Sequence, residues 1–138
     1  MKIEDQILSI EQVLELQELG FDVIKNSSAI VIIKENGTFI VDKEMIEKNI
    51  FGITDKIEDL FYSMTIGDMI EVLPKKIKAY SRNADEEINF YHRMNNAGII
   101  YASTIMIEDS IFCSSEDKLI NNLFNTLIWC IKEKHIKL

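Results

Sequence analysis

At 138 residues the chain has the length of one compact domain that can bury its own core, and 47% of its residues are hydrophobic. No apolar run approaches the roughly 20 residues that span a bilayer, and the longest, such as residues 29–33, have the length of a strand. Twenty-three acidic residues against 15 basic ones give a formal net charge of −8, which disfavours phosphate backbones and anionic lipid and favours a basic partner.

The N-terminal Met-Lys-Ile-Glu-Asp-Gln places two acids where a secretory leader needs an apolar core, so a cytoplasmic protein is expected. Ser9-Ile10-Glu11-Gln12 has the form of a capping box, and Ile10, Val13, Leu14 and Leu19 follow at helical spacing until Gly20. A first helix over residues 10–19 follows, with Val13 and Leu14 towards the core. Residues 29–33 and 38–41 are β-branched runs, and Asn36-Gly37 between them supplies the positive-φ residues of a tight hairpin turn. The first run is apolar at every position, which implies burial on both faces. Apolar residues across 43–64, broken by Gly52, fit short helices. Thr65-Ile66-Gly67-Asp68 opens a further helix that must stop near Leu73, because the residue before Pro74 is pushed out of the α region.

Residues 76–80, 88–94 and 99–106 read as strands of an antiparallel meander, with turn chemistry at Asn95-Asn96-Ala97-Gly98 and a further strand around 111–113. Ser114 or Ser115 would cap a last helix whose Leu119, Ile120, Leu123, Phe124, Leu127, Ile128 and Ile131 form a broad apolar face. The expected fold is a single α+β domain over residues 1–138: N-terminal helix, β-hairpin, short helices, antiparallel meander, and a C-terminal helix packed on the sheet.

Three segments carry a resemblance: Leu8-Ser9-Ile10-Glu11-Gln12 followed by Leu19-Gly20, Thr65-Ile66-Gly67-Asp68-Met69-Ile70-Glu71-Val72-Leu73-Pro74-Lys75 with Ile77, and Trp129-Cys130-Ile131. In that order they resemble the LSxEQ…LG, TLxDxLxxLPKxI and WCI signatures of a group of small uncharacterised proteins from phages and mobile elements of gut bacteria. The resemblance spans most of the chain and implies a genomic context rather than a chemistry.

The residues that could carry chemistry read as structural. His92 falls in the alternation Ile88, Phe90, His92, Met94 on a face expected to be apolar, and His135 lies near the negative end of the last helix. Cys113 and Cys130 have no CxxC spacing, and with the two histidines they lack the short paired spacings that pre-position a zinc site. Asp85-Glu86-Glu87 and Glu108-Asp109 pair carboxylates as acid–base chemistry or a hard cation requires, yet they fall in turns, where solvated acids are ordinary. No glycine-rich phosphate loop and no GxSxG occurs, so no catalytic residue, cofactor site or metal site is assigned. Lys75-Lys76-x-Lys78 with Tyr80, Arg82 and Tyr91 combines cations and rings as single-stranded nucleic acid requires. Strand lysines also protect sheet edges, and the net charge speaks against direct nucleic-acid binding.

The acidic signal is more coherent. Glu11, Glu15 and Glu18 recur at i, i+4 and i+7 on one side of the first helix, and Asp55, Glu58, Asp59, Asp68 and Glu71 follow. The candidate partner-binding residues are Glu11, Glu15, Glu18, Asp55, Glu58 and Asp59, against the plainer reading of a solvated helix face. The sequence therefore reads as a non-enzymatic acidic protein-binding module that meets a basic protein surface, with inhibition of a host nucleic-acid-handling or defence complex as the implied role. The alternative is a small structural or assembly protein acting as a homo-oligomer.

Overall fold

The computed structural model describes residues 2–47, 59–80, 86–95, 98–103 and 110–138. The chain divides into two compact units, Met1–Ile70 together with Leu138, and Glu71–Lys137. The class is α+β, with two antiparallel sheets and a C-terminal helix.

In the first unit a short 3₁₀ turn, Ile3–Asp5, precedes α1, Ile10–Glu18. Ser9 and Gln12 close the start of α1 reciprocally: Ser9 Oγ accepts from the Gln12 N–H (3.2 Å) and Gln12 Oε1 accepts from the Ser9 N–H (3.0 Å). The buried positions of α1 are Val13 and Leu16, while Leu14 is 50% exposed. This corrects the expectation that Leu14 faces the core, since a one-residue step turns a helix by about 100° and only the i, i+3 pair shares the inner side. Asp22 then caps α2, Val23–Asn26, by accepting from the Lys25 N–H at 3.0 Å.

β1, Ala29–Lys34, pairs antiparallel with β2, Gly37–Asp42, and with β3, Asp59–Ser63, giving the order β2-β1-β3. The central place of β1 accounts for its composition: Ala29, Ile30, Val31 and Ile32 are all buried, whichever face they point to. Lys34 lies opposite Gly37, so the two turn residues are Glu35 and Asn36, one position earlier than the expected Asn36-Gly37. Among the described non-glycine residues only Lys134 has a positive φ, so this is not the left-handed turn that Asn-Gly suggested; Gly37 alone takes φ +141°.

A short helix, α3, spans Lys43–Glu47, and the helices expected over 48–58 lie outside the described residues. Over 59–63 the expected helix is instead β3, where Leu60 and Phe61 pair with Ile32 and Val31. Hydrogen bonding to the open side of β1 outweighs a helical spacing that was never continuous there. α4, Ile66–Val72, starts with Thr65 Oγ1 accepting from the Asp68 N–H (3.1 Å) and Asp68 Oδ2 from the Thr65 N–H (3.0 Å), and it stops before Leu73-Pro74 as expected.

The second unit is the expected meander: β4 (Lys76–Tyr80), β5 (Glu87–Asn95), β6 (Gly98–Ala102) and β7 (Ser110–Ser114) pair in chain order. Residues 96–97 and the 104–106 end of the strand expected over 99–106 lie outside the described residues. α5, Leu119–Lys132, packs on β6 and β7 and buries Ile120, Leu123, Phe124, Leu127, Cys130 and Ile131. Its N-cap is Lys118, with no side-chain cap, rather than Ser114 or Ser115. The buried Asn122 takes the polar groups instead: its Oδ1 accepts from Ser114 Oγ (2.9 Å) and the Glu116 N–H (2.6 Å), and its Nδ2 donates to the Glu116 carbonyl (3.1 Å). No helix among the described residues is long and apolar enough to cross a membrane.

Two glycines can be ranked. A Cβ on Gly37 would meet nothing closer than Phe39 Cζ at 3.9 Å, whereas one on Gly98 (φ +137°) would overlap the Ser114 carbonyl oxygen. Gly37→Ala should cost the backbone strain alone, about 1–3 kcal/mol, and Gly98→Ala distinctly more, because β6 and β7 must separate. Urea midpoints of the two variants check the order. Asn122→Ala should cost about 1–3 kcal/mol by leaving the Glu116 N–H and the Ser114 hydroxyl without their acceptor; a midpoint equal to the parent's would show that these groups find other partners.

Candidate docking surface

The outward side of α1 is built by its inward one. With Val13 and Leu16 buried, the helical period turns Glu11, Glu15 and Glu18 into one arc of about 60°, and all three are exposed. Ile10 and Leu14, one turn apart and 37% and 50% exposed, run along one flank of that arc. The helix therefore shows solvent an acidic stripe beside an apolar ridge.

The ridge leads into a groove of about 360 Å³. Ile3, Ile7 and Ile10 line it from the N-terminal segment, Val31, Ile33 and Phe61 from the sheet, and Glu4 and Glu11 contribute to the same wall. The N-terminal segment is tied to the sheet by main-chain and hydroxyl bonds: the Leu8 N–H donates to the Met64 carbonyl (3.1 Å), Ser63 Oγ donates to the Leu8 carbonyl (2.8 Å), and Ile7 bridges Thr65. The groove wall is thus part of the fold.

Glu11, Glu15 and Glu18 are brought together as expected. Asp55 and Glu58 lie outside the described residues, and Asp59 opens β3. Asp68 is an internal ligand: its Oδ2 accepts from the Ser28 N–H (2.9 Å), Ser28 Oγ (2.9 Å) and the Thr65 N–H (3.0 Å). The exposed ridge was missed in the sequence; the signal was Leu16, three residues after Val13, which displaces Leu14 from the core.

In the second unit the histidines and Cys130 join an aromatic cluster. His92 and Tyr101 face each other across β5 and β6 with ring centroids 5.2 Å apart, and Trp129 lies 5.7 Å from Tyr101, 4.6 Å from Phe112 and 4.9 Å from His135. The Tyr101 hydroxyl donates to the Pro74 carbonyl at 2.7 Å. Burial pushes the Cys130 thiol up to about 11, raises Tyr101, and lowers both His92 and His135. A nucleophilic cysteine needs the opposite shift, so Cys130 is held as a thiol. His92 Nε2 is buried without a hydrogen-bond partner. Cys113 neighbours Phe112 in β7 and is exposed, as strand alternation requires of the opposite face. Among the described residues no group of three or more His, Cys, Asp or Glu side chains could hold a metal ion.

No protein-family model, no curated protein and no solved structure matches the chain.

The cluster sets a pH dependence of stability. Both histidine values are lowered from 6.5, so the unfolded chain takes up protons first as pH falls below that value, and stability declines there. The Cys130 value is raised from 9.0 to about 11, so the unfolded chain loses its proton first, and stability declines as pH rises through that interval. Melting temperatures should form a plateau between about pH 6.5 and 9, and His92→Phe should make the fall from pH 6.5 to 5.5 shallower. An unchanged acid slope in that variant would remove His92 as a cause.

Proposed function

We propose that the chain is a non-enzymatic binding module of phage or mobile-element origin that grips a basic, amphipathic segment of another protein. The observation that carries this reading is the exposed Ile10–Leu14 ridge, which runs beside Glu11, Glu15 and Glu18 and continues into the groove floored by Val31 and Phe61. An amphipathic helix lays apolar side chains at i, i+3 and i+4 into such a groove, and its flanking lysines or arginines meet the acidic stripe. The acids set encounter rate and partner choice, and the groove supplies the desolvated contact. The LSxEQ-like and LPK-like segments support the phage context. A basic segment of this kind is also suited to nucleic-acid phosphates, so occupying one in a host nucleic-acid-handling or defence complex would inhibit its owner.

The partner is obtained by affinity capture from host lysate and its basic segment titrated calorimetrically against the full chain. Changing Glu11, Glu15 and Glu18 together to glutamine should shift stability by no more than about 1 kcal/mol, because exposed carboxylates contribute little. It should weaken binding at least tenfold and flatten its salt dependence. Leu14→Ser should weaken binding with the salt dependence retained. A complex indifferent both to the triple change and to salt would reduce the stripe to a solvated helix face.

A further inference from the structure

Strand alternation sorts the second unit's sheet into two unlike faces. Phe90, Tyr101 and Phe112 share the face under α5, where Tyr101 and Phe112 meet Trp129. Lys76, Lys78 and Tyr80 of β4, and Asn89, Tyr91 and Arg93 of β5, therefore share the other face. Their register is defined: Lys76 stands opposite Tyr91, Lys78 opposite Asn89, and Tyr80 opposite Glu87, with Arg93 one step beyond Tyr91. Lys76, Lys78 and Arg93 are exposed, and Tyr80 is 69% exposed. At about 3.3 Å per residue, the three cations occupy successive steps about 7 Å apart, with the Tyr91 ring among them and Tyr80 at one end. Glu87 is the one acid in this set.

The expectation against nucleic acid rested on the edge-protecting role of strand lysines and on the charge of the whole chain, and that charge is unevenly shared. Residues 71–137 carry nine acids and nine bases, so the entire net charge of −8 belongs to residues 1–70. The unit that bears the cationic face is neutral.

We propose that this face binds single-stranded nucleic acid, with Lys76, Lys78 and Arg93 on consecutive phosphates and Tyr91 and Tyr80 stacking on bases. A duplex hides its base faces, whereas a single strand can lay them on exposed rings while cations follow its backbone. The face holds two side-chain amides, Asn89 and, at the end of β5, Asn95, beside rings and cations, so it reads mainly charge and base planes, with little sequence preference. This activity is separate from the groove of the first unit and does not depend on it.

Fluorescence anisotropy of the full chain with a labelled mixed-sequence 15-nucleotide DNA single strand, its RNA counterpart and the matching DNA duplex tests this at 50 mM salt. Both single strands should bind saturably, at least tenfold more tightly than the duplex. Affinity should fall with salt at a log–log slope of about −2, as three phosphate contacts require. Changing Lys76, Lys78 and Arg93 together to alanine should weaken binding at least tenfold, Tyr91→Leu at least fivefold, and Tyr91→Phe little. Should the triple variant melt early, Lys78→Ala alone, at an exposed position, should still weaken binding about threefold. No saturable binding, equal affinity for the duplex, or affinity untouched by these changes overturns the proposal. So does oligonucleotide-free self-association that is lost both in the cation variants and in the Glu11, Glu15, Glu18 glutamine variant, which would assign the face to a second copy of this chain.

Discussion

Tyr101 is fully buried, its ring meets His92 and Trp129, and the second unit is organised around it. Its hydroxyl donates to the Pro74 carbonyl, which joins the entry of β4 to β6, while His92 and Trp129 bring β5 and α5 against the ring. A phenol in a core needs such an acceptor, because an unpaired hydroxyl there costs about 1–3 kcal/mol. Pro74 is a suitable source: it ends α4, and its carbonyl needs no place in a sheet ladder. Once Tyr101 must point under α5, alternation leaves no freedom for the neighbouring strands. Phe90 follows it inward, and Tyr91, Arg93, Lys76 and Lys78 are turned outward. The cationic face is a consequence of where one tyrosine is held.

In the first unit a comparable role falls to Asp68, whose Oδ2 gathers the Ser28 main chain and hydroxyl together with the start of α4. Ser28 immediately precedes β1, so this carboxylate fixes the strand that both β2 and β3 pair with. The acid serves as the N-cap partner of α4 and as a brace for the sheet. Its engagement separates it from Glu11, Glu15 and Glu18, which are exposed. Identical side-chain chemistry thus serves opposite ends, and only the number of donors in reach distinguishes them.

Local chemistry made much of this architecture legible. Ser9 with Gln12, Thr65 with Asp68, and Leu73 before Pro74 each mark a boundary by a mechanism acting within four residues, and each boundary stands where its mechanism puts it. The meander and the burial of Leu123, Phe124 and Leu127 were legible because their periodicities run unbroken over a whole element. What failed depended on distant groups. Leu60 and Phe61 form a strand because β1 offers them an unpaired edge, and nothing within 59–63 reports that edge. Ser114 looked like a helix cap because the buried acceptor that claims it, Asn122, lies eight residues away on α5. At the candidate site, the spacing of Glu11, Glu15 and Glu18 was readable from the helix alone. The apolar ridge beside them was not, since Leu14 and Leu16 are chemically identical and only the packing of α1 chooses between them.

The charge distribution follows the same logic one level higher. A net charge describes interactions at long range, and at physiological salt the Debye length is about 8 Å, so a bound ligand responds to the few charges within its reach. On the β4–β5 face Lys76, Lys78, Tyr80, Asn89, Tyr91, Arg93 and Asn95 are neutral or cationic and Glu87 alone is acidic, and the acids that dominate the chain's total belong to residues 1–70. Counting acids over the whole chain therefore predicts how it migrates in a field and says little about what either surface holds. The acidic stripe of α1 and the cationic face of β4–β5 are two local environments with opposite preferences, each set by which residues its core has drawn inward.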